Sequence, residues 1–418
     1  MLKNQKRLGD DWDYRTANTK EYTHGIHPYP AMMIPQVARR LIGEYGREAG
    51  VLLDPYCGTG TTLLEGMLAN LDSTGTDLNP LARLIARTKT APIDIGRLDG
   101  EIENFIEFGL DGAGSRNGHA EQPDIPNVDY WFSESVQREL GLMRGYIDLI
   151  ESVRIADFFR VAYSLTVRKV SWTKNSEFKL VRMERERIED HNPDVFSTMV
   201  GVLNDNRRAF ASLDHALGDE PAIPEVHGFN TVVGIPTEII GPQSVDIVVT
   251  SPPYGDSKTT VAYGQFSRLS SQWLGYVNAN RVDSSLMGGA KLAGDVRFGF
   301  EELDDVIGEI TDADARRAGE VASFFVDYRK SIGNVANIVK AGGFVCYVVG
   351  NRTVKGLEIP TAESTTAFFE MNGFEHVDTF QRNIPNKRMP SMNSPSNVPG
   401  KLGKTMKSEI IVVCRKSG

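Results

Sequence analysis

The chain has 418 residues, 40% of them hydrophobic and 24% charged, and its formal net charge is −9. This composition is typical of a globular protein of roughly two to three domains, and it excludes disordered, collagen-like and fibrous classes. No stretch reaches the roughly 18 apolar residues of a membrane span, and the first residues lack the apolar run of a signal peptide. We therefore expect a cytoplasmic protein. Its net charge argues against a protein that binds polyanions with its whole surface and leaves a local basic groove open.

The cysteines and histidines do not indicate a metal site. Cys57, Cys346 and Cys414 are too scattered for a disulfide framework or a CxxC motif, which is typical of a reducing compartment. His24 and His27 form an HxxH pair, but no third or fourth ligand has suitable spacing. We predict two structural histidines and no metal.

Short β-like runs followed by helical patterns recur along the chain, and this alternation predicts an α/β fold built on a mostly parallel sheet. One run, VDIVVT, is nearly all apolar, as expected for a central strand that is covered on both faces. The seven predicted strands are residues 51–53, 73–76, 225–229, 245–250, 344–349, 374–380 and 410–414.

The spacing of these strands divides the chain into three predicted parts. Residues 99–224 contain helical patterns and no β pattern, so we interpret them as a helical insertion between a first half, 1–98, and a second half, 225–418. The second half contains another insertion, 255–320. Its acidic end is predicted to be a solvated helix or loop that faces away from nucleic acid.

The first segment that indicates chemistry is VLLDPYCGTGTTLLEGML, in which a strand leads through a turn into a helix. Gly58 and Gly60 allow a tight turn and a close approach to a ligand, and the following helix presents free N–H groups. Leu63 stands where a dinucleotide fingerprint needs a third glycine, and no Gly-Lys-Ser/Thr follows. The pattern also fits an ordinary turn between a strand and a helix.

Asp77 ends the next predicted strand, 17 residues after Gly60. An acidic side chain at this place can accept hydrogen bonds from both hydroxyls of a ribose. The alternative is a helix N-cap before Pro80. The ribose interpretation predicts a nucleoside cofactor.

The tetrapeptide SPPY ends the predicted central strand. Pro252 and Pro253 stop the strand and remove two backbone donors, which leaves rigid carbonyl groups pointing outward. Ser251 adds a hydroxyl and Tyr254 an aromatic ring, so the segment could hold an exocyclic amino group beside a stacked base.

These three segments together resemble the S-adenosylmethionine-dependent DNA amino-methyltransferases, which methylate cytosine N4 or adenine N6. DPYCGTGTT resembles the cofactor loop of that family, TDLNP its ribose-binding segment and SPPY its catalytic tetrapeptide, while HGIHPYPAMMIPQ resembles the segment that closes over the methionine end. The resemblance covers most of residues 22–98 and 225–418. It implies a Rossmann-like methyltransferase fold with a seven-stranded, mostly parallel sheet, and S-adenosyl-L-methionine as the cofactor.

The resemblance also implies roles for individual residues. Asp77 would bind the ribose, Leu78 would pack near the adenine, and Asn230 is a further candidate near the adenine amino group. The remaining implied cofactor contacts, at the methionine end, are Tyr29, Asp54, Tyr56, Gly58, Thr59 and Gly60. The implied catalytic residues are Ser251, Pro252, Pro253 and Tyr254.

Cytosine N4 is the favoured target, because the serine form of the tetrapeptide is usual in the cytosine-N4 subgroup. The sequence has no Pro-Cys dipeptide of the kind used for covalent methylation at cytosine C5. Adenine N6 remains an alternative. So do an RNA guanine-N2 or protein-glutamine methyltransferase, which share the fold, and a catalytically silent nucleic-acid-binding module.

Two local basic segments are candidates for contacting phosphates, and the alternative for each is a solvated face or a flexible loop. With the resemblance, they predict a contact with double-stranded DNA. Residues 381–407 contain six basic residues and no acidic one, and residues 160–187 contain eight basic residues against three glutamates. The predicted DNA contacts are Lys258, Arg268, Arg382, Lys387 and Arg388. A cognate restriction endonuclease is a candidate partner, and either insertion could read the target sequence.

Overall fold

The structure of the protein is a computed structural model that describes residues 11–110, 123–255, 261–289, 296–384, 392–393, 403–404, 406 and 408–418. Its main sheet contains all seven strands that the sequence predicts. They are β1 (Val51–Asp54), β2 (Asp72–Thr76), β3 (Glu225–His227), β4 (Val245–Thr250), β5 (Val339–Val349), β6 (Phe374–Asn383) and β7 (Ser408–Lys416).

The order of the strands in this sheet is β3-β2-β1-β4-β5-β7-β6. The first five strands pair in parallel, and β7 is antiparallel to both β5 and β6. This is the mostly parallel Rossmann-like sheet expected from the sequence. Two short antiparallel pairs lie outside it, Thr353–Val354 with Leu357–Glu358 and Met392–Asn393 with Gly403–Lys404.

Helices cover both faces of the sheet. They are α1 (Pro35–Tyr45), α2 (Thr61–Leu68), α3 (Pro80–Lys89), α4 (Ile95–Leu110), α5 (Val128–Trp131), α6 (Glu134–Asp148), α7 (Val153–Val170), α8 (Arg185–Glu189), α9 (Val195–Asp214), α10 (Tyr263–Trp273), α11 (Val282–Ser285), α12 (Glu301–Ile338) and α13 (Thr361–Glu370), and a short 3-10 helix spans Tyr22–Gly25. Helix α12 has a kink at Asp314, whose backbone angles are not helical. Among the described residues, no helix is long and apolar enough to cross a membrane.

Side chains alternate between the two faces of the central strands. In β4, Ile247 and Val249 pack with α1, whereas Val245 and Val248 pack with α12. The neighbouring strands β5 and β7 alternate in the same way. Both faces are therefore buried, as the apolar run VDIVVT predicts.

Most of the helices between β2 and β3, including α3, share one hydrophobic cluster with α10, which follows β4. Buried side chains of α4, α6, α7 and α9 contribute to it, for example Phe105, Leu140, Phe159 and Leu203. The helical character of this region is as predicted, while the three-part division of the chain stays a prediction. The acidic start of α12 is an amphipathic helix, because Leu303 is buried while Glu301 and Glu302 are exposed.

Candidate active site

A cavity lies where β1, β2 and β4 end, at the edge of the sheet where ligands bind in open α/β folds. Its volume is about 970 Å³ with the open mouth included. The predicted residues that line it are Tyr29, Asp54, Tyr56, Gly58, Thr59, Asp77, Leu78, Asn230, Ser251 and Pro253. Three other predicted residues, Gly60, Pro252 and Tyr254, are their chain neighbours but do not line the cavity. One cavity thus joins the cofactor loop to the tetrapeptide.

The glycine turn has a backbone that strongly favours glycine. Gly58 and Gly60 have φ angles of +49° and +76°, in the left-handed region. A Cβ on Gly60 would lie 3.0 Å from the Cβ of Ala86, whereas a Cβ on Gly58 would meet no atom within 4 Å. Gly60 is therefore needed for packing against α3, and Gly58 keeps the cavity side of the turn open.

Asp77 is tied to the glycine turn rather than acting as the cap of α3. Its Oδ2 accepts a hydrogen bond from the N–H of Gly58 over 3.2 Å, and its Oδ1 accepts from the N–H of Asn79 over 2.7 Å. Asn79 itself caps the helix, since its side chain accepts from the N–H of Leu81. Burial raises the pKa of Asp77. The carboxylate keeps lone pairs that can accept ribose hydroxyls.

Asp54 connects the ends of two neighbouring strands. Its Oδ1 accepts from the hydroxyl of Thr250 over 2.5 Å and from the N–H of Tyr56 over 3.2 Å. Burial raises the pKa of Asp54 to about 6 despite these hydrogen bonds. An ammonium group, such as the amino end of an amino acid, would supply the missing positive partner.

Several cavity-lining residues were missed by the sequence analysis. Tyr263 at the start of α10 stacks on Tyr29 with ring centroids 5.9 Å apart, and Asn79 donates to the hydroxyl of Tyr29 over 2.8 Å. Other missed lining residues are Phe229, Leu286 and Met287. These apolar residues carry no motif, so only the fold brings them to the site. Met32 and Met33 also line the cavity and belong to HGIHPYPAMMIPQ, the segment that the resemblance assigns to the methionine end.

The tetrapeptide has a carboxylate partner that the sequence analysis also missed. The oxygens of Ser251 and Tyr254 lie 3.0 Å apart, and the Tyr254 hydroxyl donates to Oε1 of Glu409 on β7 over 2.9 Å. Burial, followed by the charge of Glu409, raises the pKa of Tyr254 well above its ordinary value. The phenol therefore stays protonated at neutral pH.

The predicted DNA contacts have different placements. Arg382 is only 5% exposed, and its guanidinium pairs with Glu409 and donates to the carbonyl oxygen of Trp12. This placement differs from the predicted contact with a DNA phosphate, because the guanidinium already has buried partners. Arg268 is half-buried on α10. Lys258, Lys387 and Arg388 lie outside the described residues.

Basic side chains in the segment 160–187 are largely used for packing and ion pairing. Arg168 is buried with its guanidinium 4.1 Å from the centre of the Phe266 ring, and Arg182 lies 4.1 Å over Tyr130. Lys174 pairs with Glu184 over 2.6 Å. Counting charges along a segment therefore overstates the positive charge that is free for phosphate.

His24 and His27 are both buried. His24 has the hydrogen-bond partner expected of a structural histidine, whereas neither ring nitrogen of His27 has one among the described residues. His24 Nε2 lies 2.9 Å from Oε1 of Glu65, and burial lowers the pKa of His24 to about 4 and that of His27 to about 3. Within the described ranges, no three His, Cys, Asp or Glu side chains are grouped as metal ligands would be.

Comparison with known proteins identifies the family of this chain. Residues 1–87 match the N6_N4_Mtase family, described as DNA methylase. The type II methyltransferase M.MvaI of Kocuria varians is 38% identical over 439 residues, which covers 98% of this chain and 95% of that protein. The chain belongs to the N4/N6 family of DNA amino-methyltransferases. It is a type II DNA methyltransferase, and its cofactor is S-adenosyl-L-methionine.

Two further similarities are more limited. The type II methyltransferase M.MjaII of Methanocaldococcus jannaschii is 37% identical over 93 residues, which is 21% of this chain and 18% of that protein. The solved rRNA methyltransferase aviRa of Streptomyces viridochromogenes is 11% identical and covers 93% of this chain and 87% of its own. Its TM-score of 0.32 is too low to bear on function.

Proposed function

We propose that this DNA methyltransferase modifies N4 of cytosine in duplex DNA. The observation that carries the proposal is the position of Ser251, which lines the same cavity as the cofactor loop and begins a tetrapeptide of the serine form. The resemblance associates that form with the cytosine-N4 subgroup. Adenine N6 is the second candidate, because both targets are exocyclic amines that the same transfer chemistry can methylate.

The proposed reaction begins with extrusion of the target base from the duplex, since the amino group is not accessible to the site inside the helix. Ser251 and the carbonyl group of Pro252 would hold the amino group, and the ring of Tyr254 would support the base. S-adenosyl-L-methionine supplies an electrophilic methyl group. The amine nitrogen would bond to that methyl carbon as the carbon–sulfur bond breaks, the demethylated cofactor would leave, and the nitrogen would give up one proton to water.

Residues at the two ends of the cavity would hold the cofactor in line for this step. We assign Asp77 and Leu78 to the ribose and adenine end, with Asn230 nearby, and Asp54 with the glycine turn to the methionine end. Tyr29 would cover the cofactor with its ring. Positioning of this kind is a main source of rate acceleration when two bound reactants exchange a group.

The target atom can be tested by digesting methylated DNA to nucleosides and identifying the product by mass spectrometry. We expect N4-methylcytosine. N6-methyladenine as the sole product would contradict the cytosine assignment and keep the transfer chemistry, whereas 5-methylcytosine would contradict both.

The role of Ser251 can be tested separately with the Ser251→Ala variant. We expect kcat to fall by more than the affinity for DNA, because the hydroxyl acts on the amine as its nitrogen rehybridises. The matched control is Ser244→Ala, a half-buried serine before β4 whose hydroxyl donates to the carbonyl group of Gly241. Equal losses of kcat and DNA affinity for Ser251→Ala would argue against this role.

We also propose that Lys258, Arg268, Lys387 and Arg388 contact the DNA backbone, and that a restriction endonuclease shares the target sequence. The excess of basic residues in the segment 381–407 supports the contacts of Lys387 and Arg388, and the place of Lys258 and Arg268 shortly after the tetrapeptide in the sequence supports theirs. The type II class of this methyltransferase supports the endonuclease. The endonuclease proposal predicts that a restriction endonuclease cuts unmethylated DNA at the target sequence of this methyltransferase. DNA from cells that make the methyltransferase should resist that endonuclease. Cleavage of this DNA at the methylated sites would contradict the proposal.

A further inference from the structure

Glu409 lies between the catalytic tetrapeptide and a buried arginine. Its Oε1 accepts from the hydroxyl of Tyr254 over 2.9 Å, and its Oε2 accepts from Nη1 of Arg382. The side chains of Arg382 and Glu409 are 6% and 16% exposed. Ser251 follows Tyr254 in the same line, with 3.0 Å between the two hydroxyl oxygens. Four side chains, two from the tetrapeptide after β4 and one each from β6 and β7, thus form one connected row.

The arginine end of this row is held firmly. Arg382 Nε donates to the carbonyl oxygen of Trp12 over 3.1 Å. The Trp12 ring in turn lies 4.8 Å from Phe380 and 3.9 Å below the guanidinium carbon of Arg40. Because the arginine is fixed, the carboxylate is fixed as well.

The chemistry of the two ends determines the direction of every hydrogen bond in the row. An arginine has only donors, and a carboxylate has only acceptors. The Tyr254 hydroxyl must therefore give its single proton to Glu409, and it can only accept from Ser251. The Ser251 hydroxyl then uses its own proton on Tyr254, so that only its lone pairs remain for the cavity.

We propose that Glu409 is a positioning residue that makes Ser251 a hydrogen-bond acceptor toward the target amino group. This inference rests on the proposed function, because it takes Ser251 as the residue that holds the amine. An acceptor matches the N–H groups of an exocyclic amine and draws electron density toward the attacking nitrogen. A serine that donated its proton would compete for the nitrogen lone pair that must attack the methyl group.

The direct test is Glu409→Gln, which keeps the size of the side chain. Arg382 will face the amide oxygen of the glutamine, so its amide N–H group will face Tyr254. Tyr254 must then accept and donate onward to Ser251, which reverses the row. We expect kcat, and with it the methyl-transfer rate constant measured in single-turnover assays, to fall roughly 10- to 100-fold. The dissociation constants for DNA and S-adenosyl-L-methionine should change less than about threefold.

A double-mutant cycle separates positioning from a general loss of stability. Tyr254→Phe removes the link between Ser251 and Glu409, so Glu409→Gln should have no further effect on kcat in that background. The matched control is Glu375→Gln, an exposed glutamate on β6 that lies opposite Arg415, six residues along β7 from Glu409, and should leave kcat unchanged.

Each outcome bears on one proposal. Independent, additive effects of Glu409→Gln and Tyr254→Phe would overturn the positioning role even if the product is N4-methylcytosine. A kcat of wild-type size for Glu409→Gln would overturn it as well. If Ser251→Ala instead has no effect on kcat, the proposed role of Ser251 fails, and an effect of Glu409→Gln would then need another explanation.

Discussion

The carboxylate of Asp77 accepts a hydrogen bond from the backbone N–H of Gly58 over 3.2 Å. This bond joins the end of β2 to the turn after β1, so the proposed ribose ligand and the glycine turn hold one another in place. A change at either residue should therefore affect cofactor binding before it affects the fold.

We expect Asp77→Ala to weaken binding of S-adenosyl-L-methionine by about 1.5–3 kcal/mol, because charge-assisted hydrogen bonds to the ribose are lost. Titration calorimetry measures the difference. Asp72→Ala is the control, since Asp72 is an exposed residue at the start of the same strand. Unchanged affinity in Asp77→Ala would remove the ribose assignment.

The two glycines of the turn should respond differently to alanine. Gly58→Ala places a methyl group in open space beside the cavity, so we expect a backbone cost of about 1–2 kcal/mol and a loss of cofactor affinity. Gly60→Ala carries the same backbone cost and also forces Ala86 to shift, so it should lower the melting temperature more. Thermal unfolding without cofactor compares the two. The reverse order would contradict the packing role of Gly60.

The raised pKa of Asp54 predicts a pH-dependent effect on stability. Between the ordinary pKa of 3.8 and the folded value of about 6, the folded state binds more protons than the unfolded state, so this group lowers stability as pH rises. Asp54→Asn removes that contribution. Relative to wild type, the variant should gain on the order of 3 kcal/mol in free energy of unfolding between pH 4 and about pH 7.

Denaturant unfolding of the two cofactor-free proteins across this pH range gives the difference directly. The comparison cancels the contributions of other titratable groups to stability. Among these are the buried histidines, whose lowered pKa values make stability rise with pH. If the difference in free energy of unfolding between wild type and variant stays constant with pH, the pKa of Asp54 is not raised. Asp54→Asn should also bind S-adenosyl-L-methionine more weakly, because the negative partner of its ammonium group is gone.

Replacing Lys387 and Arg388 with glutamine should weaken binding to all DNA duplexes alike and lower the salt slope by about 2. The reason is their position in the basic segment 381–407 of the sequence. Arg316→Gln with Lys330→Gln is the control pair, since both residues are exposed on the acidic helix α12. A change in sequence preference without a change in slope would instead make the segment a reader of bases.

The strands were predictable from the sequence for a simple physical reason. Each central strand is buried on both faces, so it forms a short apolar run with turn residues at its ends, and VDIVVT is the clearest case. The carboxyl ends of parallel strands meet at one edge, which also brought Asp54, Asp77 and Ser251 together as expected.

The carboxylate behind the tetrapeptide was not predictable. Glu409 lies 155 residues after Tyr254 and only two residues beyond the basic segment 381–407, so a charge count within that segment omits it. Arg382 therefore looked like a free cation. Its actual partner is set by the antiparallel register of β6 and β7, in which Glu409 lies opposite Arg382. No local pattern encodes such a pairing.

The place of β7 in the sheet has a consequence for protein synthesis. It is made after the other six strands of the sheet, yet it lies between β5 and β6, and it carries Glu409. Until it emerges, the nascent chain has an unpaired edge on β5 and lacks the carboxylate behind Tyr254. A chain cut short before β7 could thus make the cofactor loop and the tetrapeptide but would lack the row of side chains behind Ser251.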